Sequence, residues 1–265
     1  MLVARGVAYS IKSKPLLRAT DFSLQNGELK CIIGPNGAGK STLLGLLTGE
    51  IVPSDGLVEL DGISLRNWRP DALALRRAVV PQATELAFPF TVREVAGLGA
   101  RTAGGMRSAA DEETAVDAAL EQAGLSHIAE RSYTALSGGE RQRTHLARAL
   151  CQLAAASDQR ATRYLLLDEP TASLDLGHQL VLMDEVSRLK VQNIGVVAIV
   201  HDLNLAARFA DEIVLMAAGQ IVKQGPPLAA VDDTTLSKAY DCYVRANKIP
   251  DASCPFVLPQ VCERS

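Results

Sequence analysis

A chain of 265 residues, 48% of them hydrophobic, is long enough for one large or two small domains with a substantial core. The net charge of −3 is slight and the 27 Lys and Arg residues are scattered, so composition gives no support for nucleic-acid binding. No apolar stretch approaches the roughly 18 uninterrupted residues of a membrane span, and MLVARGVAYSIKSK lacks a secretory core, so the chain is expected to stay in the cytosol.

In chain order, VARGVAYSI and the later VEL (58–60), which lies between the turn signals PSDG and DG, fit a small antiparallel sheet. LKCIIG (29–34) is a short, continuous apolar run, as are YLLLD (164–168) and GVVAIVH (195–201). Runs without polar alternation suit parallel strands covered on both faces. STLLGLLTG follows the first and DLNLAARFA the third as helical stretches, and this βα alternation predicts a three-layer α/β core. Residues 90–150 differ. DEETAVDAALEQAGL carries Val116, Ala119, Leu120 and Ala123 at helical spacing, and ERQRTHLARALCQLA carries Leu146, Ala149, Leu150 and Leu153. The expected organisation is an α/β core from 1–84 and 156–240, an all-helical insertion over 85–155, and an irregular extension over 241–265. AAASDQRATR (154–163) serves as a polar connector back to the sheet. Five cysteines, odd in number and without a CxxC pair, read as reduced thiols rather than staples or zinc ligands.

Chemistry concentrates at the ends of the expected strands. GPNGAGKST, from Gly34 through Pro35, Asn36, Gly37, Ala38, Gly39, Lys40 and Ser41 to Thr42, fits GxxxxGK[ST] between a strand and a helix. Its glycines let backbone N–H groups converge on a β-phosphate, a concavity that a Cβ at Gly37 or Gly39 would obstruct. Lys40 then serves the β- and γ-phosphates, Ser41 a Mg²⁺ ion, and Thr42 the α-phosphate. The motif alone leaves kinases, GTPases, helicases and motors open.

Gln82, in VVPQATE, opens the helical insertion, where it would touch Mg²⁺ or water when nucleotide is present; a loop glutamine is otherwise simply solvated. ALSGGERQR (135–143) bares a helix N-terminus, either a plain glycine-rich cap or a second anion cradle. In YLLLDEP, Asp168 and Glu169 are neighbours at a strand end and are expected to point to opposite sides, Asp168 towards the metal and Glu169 towards the attacking water as general base. His201, after the third run, is placed to hold a γ-phosphate and the water in line, although a lone histidine there is ordinarily structural.

Together GPNGAGKST, VVPQ, LSGGERQR, YLLLDEPTASLD and IVHD resemble the ATP-binding-cassette ATPases over roughly residues 1–245. The resemblance implies a P-loop NTPase fold with a mainly parallel sheet, a small antiparallel subdomain and a helical subdomain. It implies ATP and Mg²⁺ as ligands, Gln82 and His201 as site residues, Asp175 as an acid of the loop after LLLDEP, and Tyr9 as an aromatic stacked on adenine. A single nucleotide wrapped by the first cradle exposes only its γ-phosphate. Two chains related head to tail therefore give composite sites, in which Ser137, Gly138 and Gly139 face the partner's ATP.

AFPFTVREVAGLG (87–99) further resembles ATPases of iron-complex and cobalamin importers, and SLDLGHQ (173–179) with PFVLPQ (255–260) those of haem importers, though Gly177 stands where alanine is commoner. The expectation is thus a homodimeric ATPase on the cytoplasmic face of the inner membrane. It would work with an integral membrane permease and, indirectly, a periplasmic haem-binding protein, and bind no nucleic acid. Import of ferric siderophore or cobalamin, and a soluble role in DNA repair or translation, are the rivals. Cys254-Pro255 is explained by composition and is not expected to bind haem.

Overall fold

The computed structural model describes residues 1–82, 88–102, 108–156, 161–172, 174–251 and 253–262. The expected boundary at 84 and 85 lies outside them, as do Ala87 of the AFPFTV segment and Ser173.

The chain opens with a hairpin of β1 (Leu2–Ile11) and β2 (Lys14–Leu24), turned by Lys12 and Ser13 at positive φ. β3 (Leu29–Ile33) leads through the glycine-rich loop into α1 (Lys40–Thr48). β4 (Asp55–Leu60) and β5 (Ile63–Ser64) join the hairpin in an antiparallel sheet ordered β2-β1-β4-β5. A short α2 (Pro70–Ala74) precedes β6 (Arg77–Val80). The helical part comprises α3 (Val92–Thr102), α4 (Ala109–Gln122) and α5 (Gly138–Ala154), and the chain then returns as β7 (Arg163–Leu167). After α6 (Leu176–Arg188), β8 (Ile194–Ile199) and α7 (Leu203–Phe209) come the antiparallel pair β9 (Glu212–Ala217) and β10 (Gln220–Gly225), then α8 (Pro227–Ala230) and α9 (Asp233–Tyr240).

The main sheet runs β10-β9-β3-β8-β7-β6, parallel except for β10. Alternation explains its unbroken apolar runs. Leu29, Cys31, Ile33, Leu165 and Leu167 enter one core with the helical part, α6 and α7. Ile32, Tyr164 and Leu166 enter a second core with α1 and the antiparallel sheet. Both faces are covered, so polar positions are few, and the one in β3, Lys30, is buried and paired with Glu212 at 2.7 Å. The result is the expected α/β architecture with a helical insertion.

Five strands, β2, β5, β6, β9 and β10, lie outside the runs singled out in the sequence. β9 is apolar from Ile213 to Ala217 but rich in Leu, Met and Ala, good helix formers, and β6 has only four residues. The last regular turn, Pro259–Val261, lies against α7, where Arg208 donates to the carbonyls of Pro259 and Cys262.

Candidate nucleotide site

β3 ends in a loop whose shape is set by close backbone packing. Gly34 has φ 146°, and a Cβ there would sit 2.1 Å from the Met216 carbonyl oxygen on β9. Gly37 (φ 78°) and Gly39 (φ 95°) are left-handed; a Cβ at Gly39 would press on the Leu16 carbonyl oxygen at 3.0 Å. A Cβ added at Gly37 would meet no atom of the described residues within 4 Å beyond its chain neighbours, so φ and the open space above the loop favour glycine there. The β9–β10 hairpin braces the loop, Gly219 N donating to the Ala38 carbonyl oxygen at 3.2 Å.

The loop encloses a cavity of about 230 Å³ lined by residues 36–42, Leu16 and Glu169. At its floor α1 follows its N-cap Gly39 with no side-chain cap and no acid in its first turn, which leaves N–H groups free to meet an anion. Lys40 is buried, its Nζ donating to the carbonyls of Gly34 (2.8 Å) and Pro35 (3.0 Å). Burial pushes this ammonium's pKa down, while Glu169 and Asp168 pull it back up.

Three parallel strands deliver the acid, the amide and the imidazole. Asp168 follows β7, its N–H bonded to the Val80 carbonyl oxygen at 2.9 Å. Glu169 then takes φ 49°, which swings it out of strand geometry. Strand alternation, the ground for expecting the two carboxylates on opposite sides, therefore does not extend to Glu169. Both act on Lys40, and Glu169 lines the loop's cavity. Glu169 Oε2 accepts from Gln82 Nε2 at 2.6 Å, just beyond β6, and Oε1 lies 2.7 Å from His201 Nε2, just beyond β8. Gln82, Glu169 and His201 thus form one cluster at the carboxyl ends of the strands.

Asp168 fits a cation. Its Oδ1 is buried with no hydrogen-bond partner among the described residues, and burial, then Glu169, raises its pKa against the opposing pull of the Ser41 hydroxyl and Lys40. A divalent ion beside Ser41 would supply the missing partner and restore the ionised form.

The second glycine stretch lies apart from this cavity. Ser137 caps α5 in a reciprocal box, Ser137 N donating to Glu140 Oε2 (2.7 Å) and Glu140 N to Ser137 Oγ (3.3 Å), which holds the Glu140 carboxyl below its usual pKa. Gly138 is exposed and Gly139 is buried against Leu174 and His178. Asp175 caps α6, bonded to the His178 N–H (2.9 Å) and near its Nδ1 (2.8 Å). Tyr9 is half-buried on β1 against the second core, and Leu16 on β2, which the sequence did not single out, lines the phosphate-loop cavity. A leucine on an unanticipated strand carries no chemical signal.

A sequence model of the family described as "ABC transporter" matches residues 17–172. The chain is 43% identical to "Hemin import ATP-binding protein HmuV" of Rhodopseudomonas palustris (strain BisA53), across 98% of this chain and 94% of that one. It is 44% identical to the protein of the same name from Mesorhizobium japonicum, across 98% of each. Among solved structures, a dimeric bacterial ABC transporter cassette superposes with a TM-score of 0.73 at 26% identity, covering 86% of this chain and 99% of that one.

Proposed function

The chain belongs to the ABC transporter family, and from that membership we propose that it is the ATP-hydrolysing subunit of a haem importer. The carrying observation is the full-length similarity to hemin import ATP-binding proteins, joined to a phosphate cradle whose open face meets Glu169. In this reading the loop N–H groups and Lys40 bind the phosphates, Lys40 exchanging its two carbonyl partners for phosphate oxygens. Thr42 reaches the α-phosphate and Tyr9 the adenine. Ser41, Asp168 and Gln82 would hold Mg²⁺, which when bound offsets charge on the β- and γ-phosphates.

Glu169 takes the proton of the attacking water once Gln82 turns away from it, and His201 keeps the water and γ-phosphate in line. Ser137 and Gly139 of one chain donate to the γ-phosphate held by the other, with Asp175 beside that junction. The same faces that the single chain leaves apart are then joined in a head-to-tail homodimer. Among the described residues no helix is long and apolar enough to cross a membrane, so transport needs a separate permease. Phe88, 67% exposed and in edge contact with Phe90 just beyond Gln82, is the surface we assign to it on the cytoplasmic face. A periplasmic haem-binding protein would deliver cargo to the outer side.

Growth on a single iron source tests the cargo. Cells lacking this chain should fail on hemin, recover with the parent chain and not with Glu169→Gln. Normal growth on hemin combined with failure on ferric siderophore, or loss of cobalamin uptake alone, would overturn the haem reading; co-purification with ribosomes or DNA and no permease would overturn the transport reading.

A further inference from the structure

The end of α5 remote from Ser137 holds the edge of the main sheet. β6 is the terminal strand, paired with β7 among the described residues, so the carbonyls along its other edge need donors from elsewhere. α5 supplies them. Gln152 Nε2 donates to the carbonyls of Ala74 and Arg77, both at 2.9 Å, and an Arg148 guanidinium nitrogen donates to that of Val79 at 3.0 Å. The spacings agree: 77 and 79 face one edge of a strand, and 148 and 152 one face of a helix.

At the same turn of α5, a Cβ on Gly99 would lie 1.9 Å from the Arg148 carbonyl oxygen. α3 is therefore pressed backbone to backbone on α5, with no room between them for a side chain. The joint to β6 is of another kind, because side-chain donors can tilt several degrees on carbonyl acceptors and keep their bonds. β6 ends at Val80, two residues before the Gln82 that holds Glu169.

We propose that Arg148 and Gln152 are positioning residues, forming the pivot on which the paired helices α3 and α5 turn against the α/β core and through which that turn reaches Gln82. The inference rests on the ATP-hydrolysing reading above. The lever is long. From Gln152 to Ser137 the helix spans about 22 Å at ~1.5 Å per residue, so a tilt of about 10° moves Ser137 by about 4 Å, enough to make or break its contact with a phosphate.

Gln152→Met and Arg148→Met in the full chain remove the donors with little change of volume, and Arg148→Lys keeps one. Steady-state hydrolysis of Mg-ATP should show kcat reduced about tenfold in both methionine variants with KM within about twofold of the parent, and Arg148→Lys should retain at least about half the parent kcat. Methionine variants that hydrolyse at the parent rate, even with a lowered melting temperature, would overturn the pivot and leave a contact that only stabilises the fold. If they do not fold, Gln152→Asn, which withdraws the amide by one bond, takes their place, and parent kcat in it is equally fatal. A parent chain that hydrolyses no ATP removes the underlying reading; a parent that does, with variants matching it, removes the pivot alone.

Discussion

Glu169→Gln is the substitution whose consequences the geometry specifies most fully. Two groups converge on this carboxylate, Gln82 Nε2 at 2.6 Å and His201 Nε2 at 2.7 Å, one on each oxygen. Glutamine offers one acceptor oxygen instead of two, so it keeps at most one of these as an acceptor, and its amide does not take a proton from water. A positioned general base contributes about 10²–10⁴ in rate, which is about 2.7–5.4 kcal/mol of barrier at ~1.36 kcal/mol per tenfold. The cradle of residues 36–42 is untouched. Phosphate release at saturating Mg-ATP should therefore fall at least about a hundredfold, while nucleotide affinity stays near that of the parent. Gel filtration with ATP should show a trapped dimer. A turnover within about twofold of the parent would remove Glu169 as the base and the argument from its position with it.

Lys40→Ala should weaken ATP binding itself, measured by titration calorimetry, because the buried amine is the cradle's own cation; parent affinity would refute that. Ser137→Arg should abolish hydrolysis yet leave ATP binding to the single chain intact, since Ser137 stands apart from the P-loop cavity; retained turnover would return the stretch to a plain helix cap. Gly34→Ala places a Cβ 2.1 Å from the Met216 carbonyl oxygen, and the overpacking should cost about 1–3 kcal/mol or more in urea unfolding. Cys31 and Cys151 are pushed up to about 12 by burial, from 9.0. The folded chain holds those protons where the unfolded chain releases them, so stability is fully present below pH 9 and declines as pH rises towards 12. Native alkylation followed by mass spectrometry should mark exposed Cys242 and Cys254 and spare both buried thiols.

What the sequence made legible follows from how tightly backbone geometry dictates residue type. GPNGAGKST was readable because positive φ at Gly37 and Gly39 and the contact behind Gly34 leave few alternatives. The strands β3, β7 and β8 were readable because sheet faces buried on both sides admit few polar residues, and the buried Lys30 of β3 is offset by its ion pair with Glu212. Glu169 was harder: strand alternation pointed it away from Asp168, and nothing in DEP announces a φ of 49°. Arg148 and Gln152 were invisible for the opposite reason, since polar residues on a helix read as solvated until an edge strand with unpaired carbonyls is found beside them. Leu16 shows the same limit, because lining a cavity requires only a surface, and any apolar residue supplies one.

The charged groups of the cradle are already engaged before a nucleotide arrives: Lys40 with two carbonyls, Glu169 with an amide and an imidazole. Binding is then an exchange of partners, and each exchange yields only the difference between two charge-assisted hydrogen bonds rather than the whole of the new one. The calorimetric enthalpy of ATP binding should accordingly fall well short of what a count of new contacts suggests. The same internal wiring eases the return journey, because a departing product leaves behind groups that can close on one another again.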